Sequence, residues 1–505
     1  MAFGNTGVSP SYKVPRYIAK ILLAAGAVSA ASQRLKCLLV GKKTSAGAMV
    51  ADGSPVKCTD VDFLEAQAGA GSQLSLMGYA ALTVPSLELW IAAITEAGAA
   101  ATVTIVITGT WTVGGVLRFR LAGIDILVNV TATNTIDEVG AAMALAFNAK
   151  TKLPVTSAYV GTGTTDTLTL TTKNLGVTEK DHILYYVPDD APTGIILTIT
   201  GSAAVNTNGV RFGVAGGTGA EDATNIIAKL QKTRYARIAV GHNDSVNTAL
   251  WETMVNTKAG PLSLLLDQLI FGHNGTKSQA ITTAQTNLNN FRAQLIWMRN
   301  SENHPAVVAA LVAAFRSVNE QTNPIYDWDA FALTYLRPQA FEADIPSDTE
   351  QDDCLNAGVT PITTVDGNAR IVRMITSYCV SNSVQDERCL DIGDIVMTDY
   401  ATLDIKSMYE TDFRPQNPVV RPDPAPEEEP PTAGIAYPKL WNSKVSAKLQ
   451  EYYANGWLSQ RPVDAWAPVS TYYKPGGYIV TETPLAVQRL QHRLDNVMRQ
   501  IATVG

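Results

Sequence analysis

Residues 358–378 read GVTPITTVDGNARIVRMITSY, and no other stretch of the chain carries so clear a local signal. Val359, Ile362 and Val365 lead into Asp366-Gly367-Asn368. Gly tolerates positive φ and Asx side chains cap tight turns, so the triplet predicts a hairpin turn. Beyond it Ile371, Arg373, Ile375 and Ser377 alternate with Val372, Met374, Thr376 and Tyr378. Period-two alternation places the two sets on opposite faces of a strand. The expectation is a strand pair running to Tyr378.

Upstream of this hairpin, helix and strand signals alternate from Ala220 onward. Ile226, Ile227 and Leu230 mark a helix before a strand over Ala236–Val240, and Thr248–Thr257 reads as a second helix. Pro261–Phe271 is a long apolar run, Ser278–Asn290 is helical, and Ala293–Met298 is a strand. Pro305–Val318 is amphipathic with Pro in its first turn. Repeated β-α units predict an α/β sheet. Downstream lie a mixed segment (Asp391–Phe413), an acidic Pro-rich linker (PDPAPEEEPP, 422–431), a helix over Tyr437–Trp457 and another over Leu485–Ile501.

The N-terminal half reads differently. Met1–Pro15 is polar and aperiodic, as expected of an extended arm. RLKCLLVG (34–41) suits a buried strand, and Phe63 through Ile94 reads as mainly helical, broken at Gly69 and Gly71, with Pro85 opening the last helix. From Ala99 to Gly217 the chain turns Thr-, Val-, Ile- and Gly-rich. Val103, Ile105 and Ile107 alternate with threonines, as do Leu168 and Leu170; Leu117, Phe119 and Leu121 alternate with Arg118 and Arg120. Ile124, Ile126, Val128 and Val130 form a further strand, and Ile195, Leu197 and Ile199 another. One helix interrupts them: Thr135 and Glu138 have capping-box spacing, and Ile136, Val139, Met143 and Phe147 share a face. This predicts a mostly β module, a sandwich or small barrel. There is no internal repeat.

A chain of 505 residues is too long for one ordinary core. Its net charge of −7 supplies no electrostatic footprint for nucleic acid. The five cysteines (Cys37, Cys58, Cys354, Cys379, Cys389) form no C-x-x-C pair and read as reduced, buried thiols. Lys13, Arg16 and Lys20 before the apolar run Ile21–Ala30 imitate a signal peptide. The run falls far short of the roughly 20 residues of a spanning helix, and Pro15 and Tyr17 sit in a long polar start, so a buried or interface segment is expected.

Chemistry-bearing patterns are sparse. The run Gly213–Gly219 lacks the G-K-[ST] ending of a phosphate loop, with no clear strand leading into it, and reads as a flexible domain junction. His182, His242, His273, His304 and His492 never stand at metal-ligand spacing and read as loop or packed residues. Asp327 and Asp329 would share a face if they lay in a strand, and Asp352 and Asp353 are adjacent; solvated loop carboxylates are the plainer reading. Tyr235 beside Arg234 and Arg237, and Trp297 beside Arg299, read as core packing rather than base stacking. No nucleophile elbow or reactive Cys context is present. The expectation is no catalytic, cofactor-binding or metal-ligating residue, no cofactor, and no enzyme activity.

The opening stretch, written as G-x-x-P-I, a Gly-containing loop, then R-x-I-T-S-Y, resembles a segment of the tail sheath proteins of contractile bacteriophages. Arg34-Leu35 to Val40-Gly41 resembles the family's first core strand, and Gly69–Leu74 its G-x-G-S-x-L turn. The Thr-rich module is similar to the domain that Mu-like sheaths insert. Asn303–Gln339 resembles the helix and loop before the sheath domain, and Tyr437-Pro438-Lys439 through Gly456-Trp457 the C-terminal helix. Met1–Ile18, the Pro/Glu linker and the tail after Gln460 depart from the pattern.

The resemblance implies an α/β (α+β) sheath core, discontinuous in sequence, with an inserted mostly-β domain and extended terminal arms. The expected division is an arm (1–18), a first part of the core (19–98), the inserted domain on the outer surface (99–217), the main α/β core (218–420), a linker (421–432) and a C-terminal helical segment and arm (433–505). It implies a subunit that polymerises helically around a tail tube and contracts by rigid-body rearrangement, with the 358–378 hairpin shaping a sheet that neighbours extend. Its implied partners are copies of itself, the tail tube, the baseplate and tail terminator proteins, with no direct nucleic acid and no stable membrane insertion. Its implied location is a virion tail assembled in the host bacterial cytoplasm. The competing readings are a secreted surface-layer or adhesion protein built on the β module, and an α/β enzyme with an accessory β domain.

Overall fold

The computed structural model describes residues 34–161, 166–207, 210–381, 384–413, 419–424, 435–460, 469–474, 478–483 and 485–488. The expected arm (1–18), the apolar run 21–30, most of the linker and the expected helix beyond 488 lie outside them. Elements are numbered along the chain.

The run KCLLVGK forms β1 (Lys36–Lys42), with Cys37–Val40 wholly buried. After the short β2 (Val56–Cys58) come α1 (Val61–Ala68) and α2 (Gln73–Ala81). Each starts on a side-chain cap: Asp60 accepts from the Phe63 N–H and Ser72 from the Ser75 N–H. Gly69 and Gly71, at φ +81° and +76°, make the break between them. The helix expected after Pro85 is instead β3 (Glu88–Ile94), parallel to β1 in register from Lys36↔Glu88 to Lys42↔Ile94. A short apolar run buried on both faces has no period that separates strand from helix, and pairing with β1 decides it.

Two antiparallel sheets follow. One has the order β10-β4-β8-β7, from β4 (Ala100–Gly109), β7 (Val155–Val160), β8 (Asp166–Leu175) and β10 (Ile195–Thr200). The other has the order β11-β12-β9-β5-β6, from β5 (Gly115–Leu121), β6 (Ile124–Val130), β9 (Ile183–Val187), β11 (Ser202–Thr207) and β12 (Arg211–Gly213). The expected capping box of Thr135 and Glu138 starts α3 (Ile136–Ala149). Val139, Met143 and Phe147 of that helix join Ile105, Ile107, Leu117, Phe119, Leu168 and Leu170 in one core. The glycine run is paired, not loose. β12 leads directly into it, Ala215 bridges Thr102, and Ala99 N–H donates to Thr218 O at 2.9 Å.

The chain then returns to β1 through α4 (Thr224–Leu230), β13 (Arg237–Val240), α5 (Ser245–Lys258), β14 (Gln268–His273), α6 (Lys277–Thr282, continued by π turns to Leu288), β15 (Ala293–Trp297), α7 (Pro305–Thr322), α8 (Asp348–Asn356), β16 (Val359–Val365) and β17 (Asn368–Ile371). The eight-stranded sheet has the order β17-β16-β15-β14-β13-β1-β3-β2, with β2 and β17 antiparallel to their neighbours and the strands between them parallel. Only Gln268 onward of the apolar run 261–271 is strand. Alternate residues of one strand face opposite layers: Leu39, Ala239, Ile270 and Ile296 meet α2 and α7, while Leu38, Ile238, Leu269 and Leu295 meet α4, α5 and α6. The result is a mixed α/β fold.

The hairpin turn is as the sequence predicts. Asp366 and Gly367 take φ +51° and +71°, and Val365 pairs with Asn368 across them. The second strand ends at Ile371, though, and does not continue to Tyr378. Arg373 turns off to a bidentate pair with Asp391 (2.7 and 2.9 Å), and Ser377 N–H donates to Ala293 O. Met374, Ile375, Thr376 and Ser377 are all buried, so the alternation in sequence does not report two faces. The mixed segment 391–413 is chiefly α9 (Ile392–Met408), which packs on α10 (Pro438–Ala454) through Met397, Ala401, Val445, Leu449 and Tyr452. Leu485–Gln488, expected to open a helix, are extended: Val487 bridges Leu458.

Candidate functional site

In open α/β sheets the usual ligand crevice lies at the carboxyl ends of the strands, where strand order reverses. Here β3 is laid on one side of β1 and β13 on the other, so that point lies between β1 and β13. It is filled by the chain's own side chains. Lys42, the last residue of β1, is fully buried, and its Nζ lies 2.6 Å from Glu179 Oε1 and 3.1 Å from Glu221 Oε1. The same ammonium donates to Leu175 O (2.7 Å) and Thr178 Oγ1 (2.6 Å). Gln73, at the start of α2, ties the two strands together: it accepts from Lys42 N–H and donates to Gly241 O at 2.8 Å.

His182 and His304 stack beside this cluster with ring centroids 4.7 Å apart, and His182 Nε2 lies 3.4 Å from Glu179 Oε2. His304 caps α7: Nδ1 accepts from Ala306 N–H, which leaves Nε2–H to donate to Thr178 O at 3.0 Å. That pattern uses the neutral ring, and burial together with His182 pushes the His304 pKa down to about 3. Burial alone would raise the Glu179 carboxyl, but the His182 hydrogen bond and the Lys42 charge bring it to about 2. Burial likewise opposes the Lys42 ammonium, yet the two carboxylates carry it above its ordinary value. Asp181 is pushed up to about 7 by burial.

Around the cluster runs a seam of contacts between residues 100–213 and the eight-stranded sheet. Arg120 pairs with Glu302, Arg211 with Asp344, and Arg337 with Asp125 at 2.8 Å. Tyr185 OH donates to Asn300 O, and Asn174 Oδ1 accepts from Gln73 N–H at 2.7 Å. Gly71 lies so close that an added Cβ would stand 2.1 Å from Leu153 O. The seam does not resemble a reaction centre. Its charges are spent on one another, and among the described residues no group of three or more His, Cys, Asp or Glu is placed to hold a metal ion.

The other sequence candidates are dispersed. His242 accepts from Trp251 Nε1–H (2.9 Å), His273 accepts from Gly275 N–H, and His492 lies outside the described residues. Asp327 lies in a loop and accepts from the Asp329 N–H, while Asp353 pairs with Lys277 and Asp352 accepts from Asn356. Tyr235 is buried edge-on to Trp90, and Arg299 lies over the buried Trp297, both as packing predicts. All five cysteines are free, and only Cys389 is not fully buried. The outer edge of β17 is not open to a neighbour's strand: Leu333 N–H donates to Ala369 O and Ile371 N–H to Phe331 O. Sequence reasoning missed Lys42, Glu179 and Glu221, which lie 137 and 42 residues apart in the chain and share no motif.

The chain is 26% identical over 389 residues to the Mu-like prophage FluMu tail sheath protein of Haemophilus influenzae, which covers 75% of each protein. The chain is similar to a Mu-like tail sheath protein. Among solved structures, the chain resembles the sheath tail protein of Listeria innocua (11% identity, 91% of this chain and 93% of that one, TM-score 0.49). It also resembles the sheath tail protein of Desulfitobacterium hafniense (10% identity, 93% and 100%, TM-score 0.47). No family model matches. Among the described residues no helix is long and apolar enough to cross a membrane.

Proposed function

We propose that this chain is the structural subunit of a contractile phage tail sheath, and that it is not an enzyme. The observation that carries this reading is the similarity to a tail sheath protein across three quarters of both chains. The self-filled crevice at the carboxyl edge of the sheet agrees with it, since the usual ligand position is taken by Lys42, Gln73 and Glu179.

In this reading identical copies join head to tail by heterologous contacts into an open helical tube around a tail tube, bounded by baseplate and terminator proteins. Contraction is a rigid-body change from one set of interfaces to another. Residues 99–217 are an inserted domain on the outside of the tube, the core comprises 19–98 and 218–420, and the terminal segments 1–18 and 433–505 link neighbours by strand addition. The antiparallel ribbon of Ser470–Lys474 with Tyr478–Glu482 is the natural acceptor, because among the described residues it pairs only within itself. Assembly takes place in the bacterial cytoplasm, and the finished location is the virion tail.

Electron microscopy of the purified protein tests the reading. Hollow helical cylinders are expected at high protein concentration. Monodisperse monomers under all conditions, in the presence of tail tube protein as well, would overturn it.

A further inference from the structure

His304 stands between the eight-stranded core and the antiparallel sheets, and both of its ring nitrogens are in use. Nδ1 accepts from the Ala306 N–H at 3.2 Å and so starts α7. Nε2–H donates across the seam to Thr178 O at 3.0 Å, in the turn Val177–Asp181 that joins β8 to β9. The Val307 and Val308 N–H groups donate to His304 O. One buried, neutral imidazole therefore closes a contact on each side of the seam.

With Nε2 already carrying its hydrogen, Nδ1 is where this ring can take a proton. A proton there meets the Ala306 N–H donor to donor, so the helix cap is lost. It also sets positive charge on the positive end of the α7 dipole. The surroundings do not compensate. Lys42 of β1 brings a like charge, and the His182 ring is stacked against His304. Glu179 and Glu221 favour a cation, but both are bonded to Lys42 Nζ at 2.6 and 3.1 Å. Glu302, two residues before the ring, is paired with Arg120, and Glu96, beyond β3, is raised by burial and bonded to Asn174. Asp181, raised to about 7, is uncharged in acid. His242, beyond β13, is pushed down by burial, and His273, at the end of β14, is held down to about 4 in the same way. An imidazolium in this position must be hydrated, which requires the turn and the helix start to part. We infer that His304 is a proton-operated latch: a proton at Nδ1 releases the start of α7 from the Val177–Asp181 turn and lets water into the seam, while both sheets keep their cores. The latch stands independently of the sheath reading.

Amide hydrogen exchange of the full chain between pH 6 and 4.5, corrected for the intrinsic chemical rate at each pH, tests it. The open seam binds the proton more tightly than the closed one, so opening rises as pH falls. Peptides spanning 177–182 and 304–309 should lose protection by about twentyfold over this range. That is the linkage of one proton binding at about 3 in the closed seam and ~6.5 in the open one. Peptides of β5 and β13 should keep their protection. His304→Asn offers an oxygen to the Ala306 N–H and takes no proton, so exchange at the same two segments should be flat with pH. His304→Gln should behave alike and serves if the Asn variant does not fold. Flat exchange in the unaltered chain would overturn the latch, as would an unchanged slope in a folded His304 variant. Loss of protection in β5 and β13 in step with 177–182 would overturn it too, because that is unfolding of the whole and not opening of the seam.

Discussion

Lys42 Nζ lies 2.6 Å from Glu179 Oε1 with both side chains buried, so the last residue of β1 is bonded to a segment 137 positions away in sequence. The pair joins the eight-stranded sheet to the antiparallel sheets of residues 100–213.

Removing one partner of a buried pair leaves an uncompensated charge, which costs about 3–5 kcal/mol. Lys42→Met should lose stability of that order in urea unfolding, since Glu179 and Glu221 are then both stranded. The triple variant Lys42→Met, Glu179→Gln, Glu221→Gln should recover most of it. Equal stability of Lys42→Met and the unaltered protein would show the pair to be energetically idle.

The same cluster contributes to the pH dependence of stability, and each group's sign follows from the direction of its shift. The His304 pKa is about 3 in the fold and near ~6.5 in an unfolded chain. The unfolded chain therefore binds more protons in this window, and the contribution of His304 is present above about pH 6.5 and lost as pH falls toward 3. Glu179, at about 2 against roughly 4.3 when unfolded, adds a loss between about pH 4.3 and 2. Asp181, raised to about 7, works the other way. The difference between two proteins isolates one term: His304→Gln should lose less stability than the unaltered chain between pH 7 and 4.5. Parallel curves would mean that His304 is not held neutral.

Gly71 sits at φ +76°, and a Cβ there would strike Leu153 O. Gly71→Ala should loosen the seam while each sheet keeps its own core. The expected signature is new protease cleavage near 97–99 and 214–219, with little change in far-UV circular dichroism. An unchanged digest would show that the α1–α2 turn does not hold the β sheets in place.

Ala99 and Thr218 are hydrogen-bonded neighbours, so residues 100–216 can be excised and bridged by a short linker. If 99–217 is an insertion on the outside of the tube, the excised chain should unfold cooperatively and still form tubes. Its stability should fall, because Lys42, Glu302 and Asp344 lose partners. Neutralising Glu302 and Asp344 to Gln and Asn should restore part of it. A folded excised chain that never assembles would place lattice contacts on the removed sheets.

Local rules were legible wherever the outcome depends on neighbours in sequence. The Asp366-Gly367 turn, the Thr135/Glu138 capping box and Pro305 at the start of α7 follow from φ preference and helix-end hydrogen bonding alone. Where the choice depends on a partner, the reading failed. Glu88–Ile94 is a strand because β1 lies beside it, and 372–378 leaves the sheet because Arg373 finds Asp391.

The sequence by itself determined the class of the chain: a β-rich, low-charge stretch set inside an α/β alternation, with the motifs of a tail sheath and no catalytic pattern. Periodicity and turn chemistry are written in adjacent residues, which is why that much could be read. Only the tertiary structure decided that Lys42, Glu179 and Glu221 meet, that the glycine run is paired, and that the edge of the hairpin is already covered. Each of these depends on which distant side chains share a low-dielectric interior. A buried charge must be matched there. Nothing in the order of residues along the chain states which partner will match it.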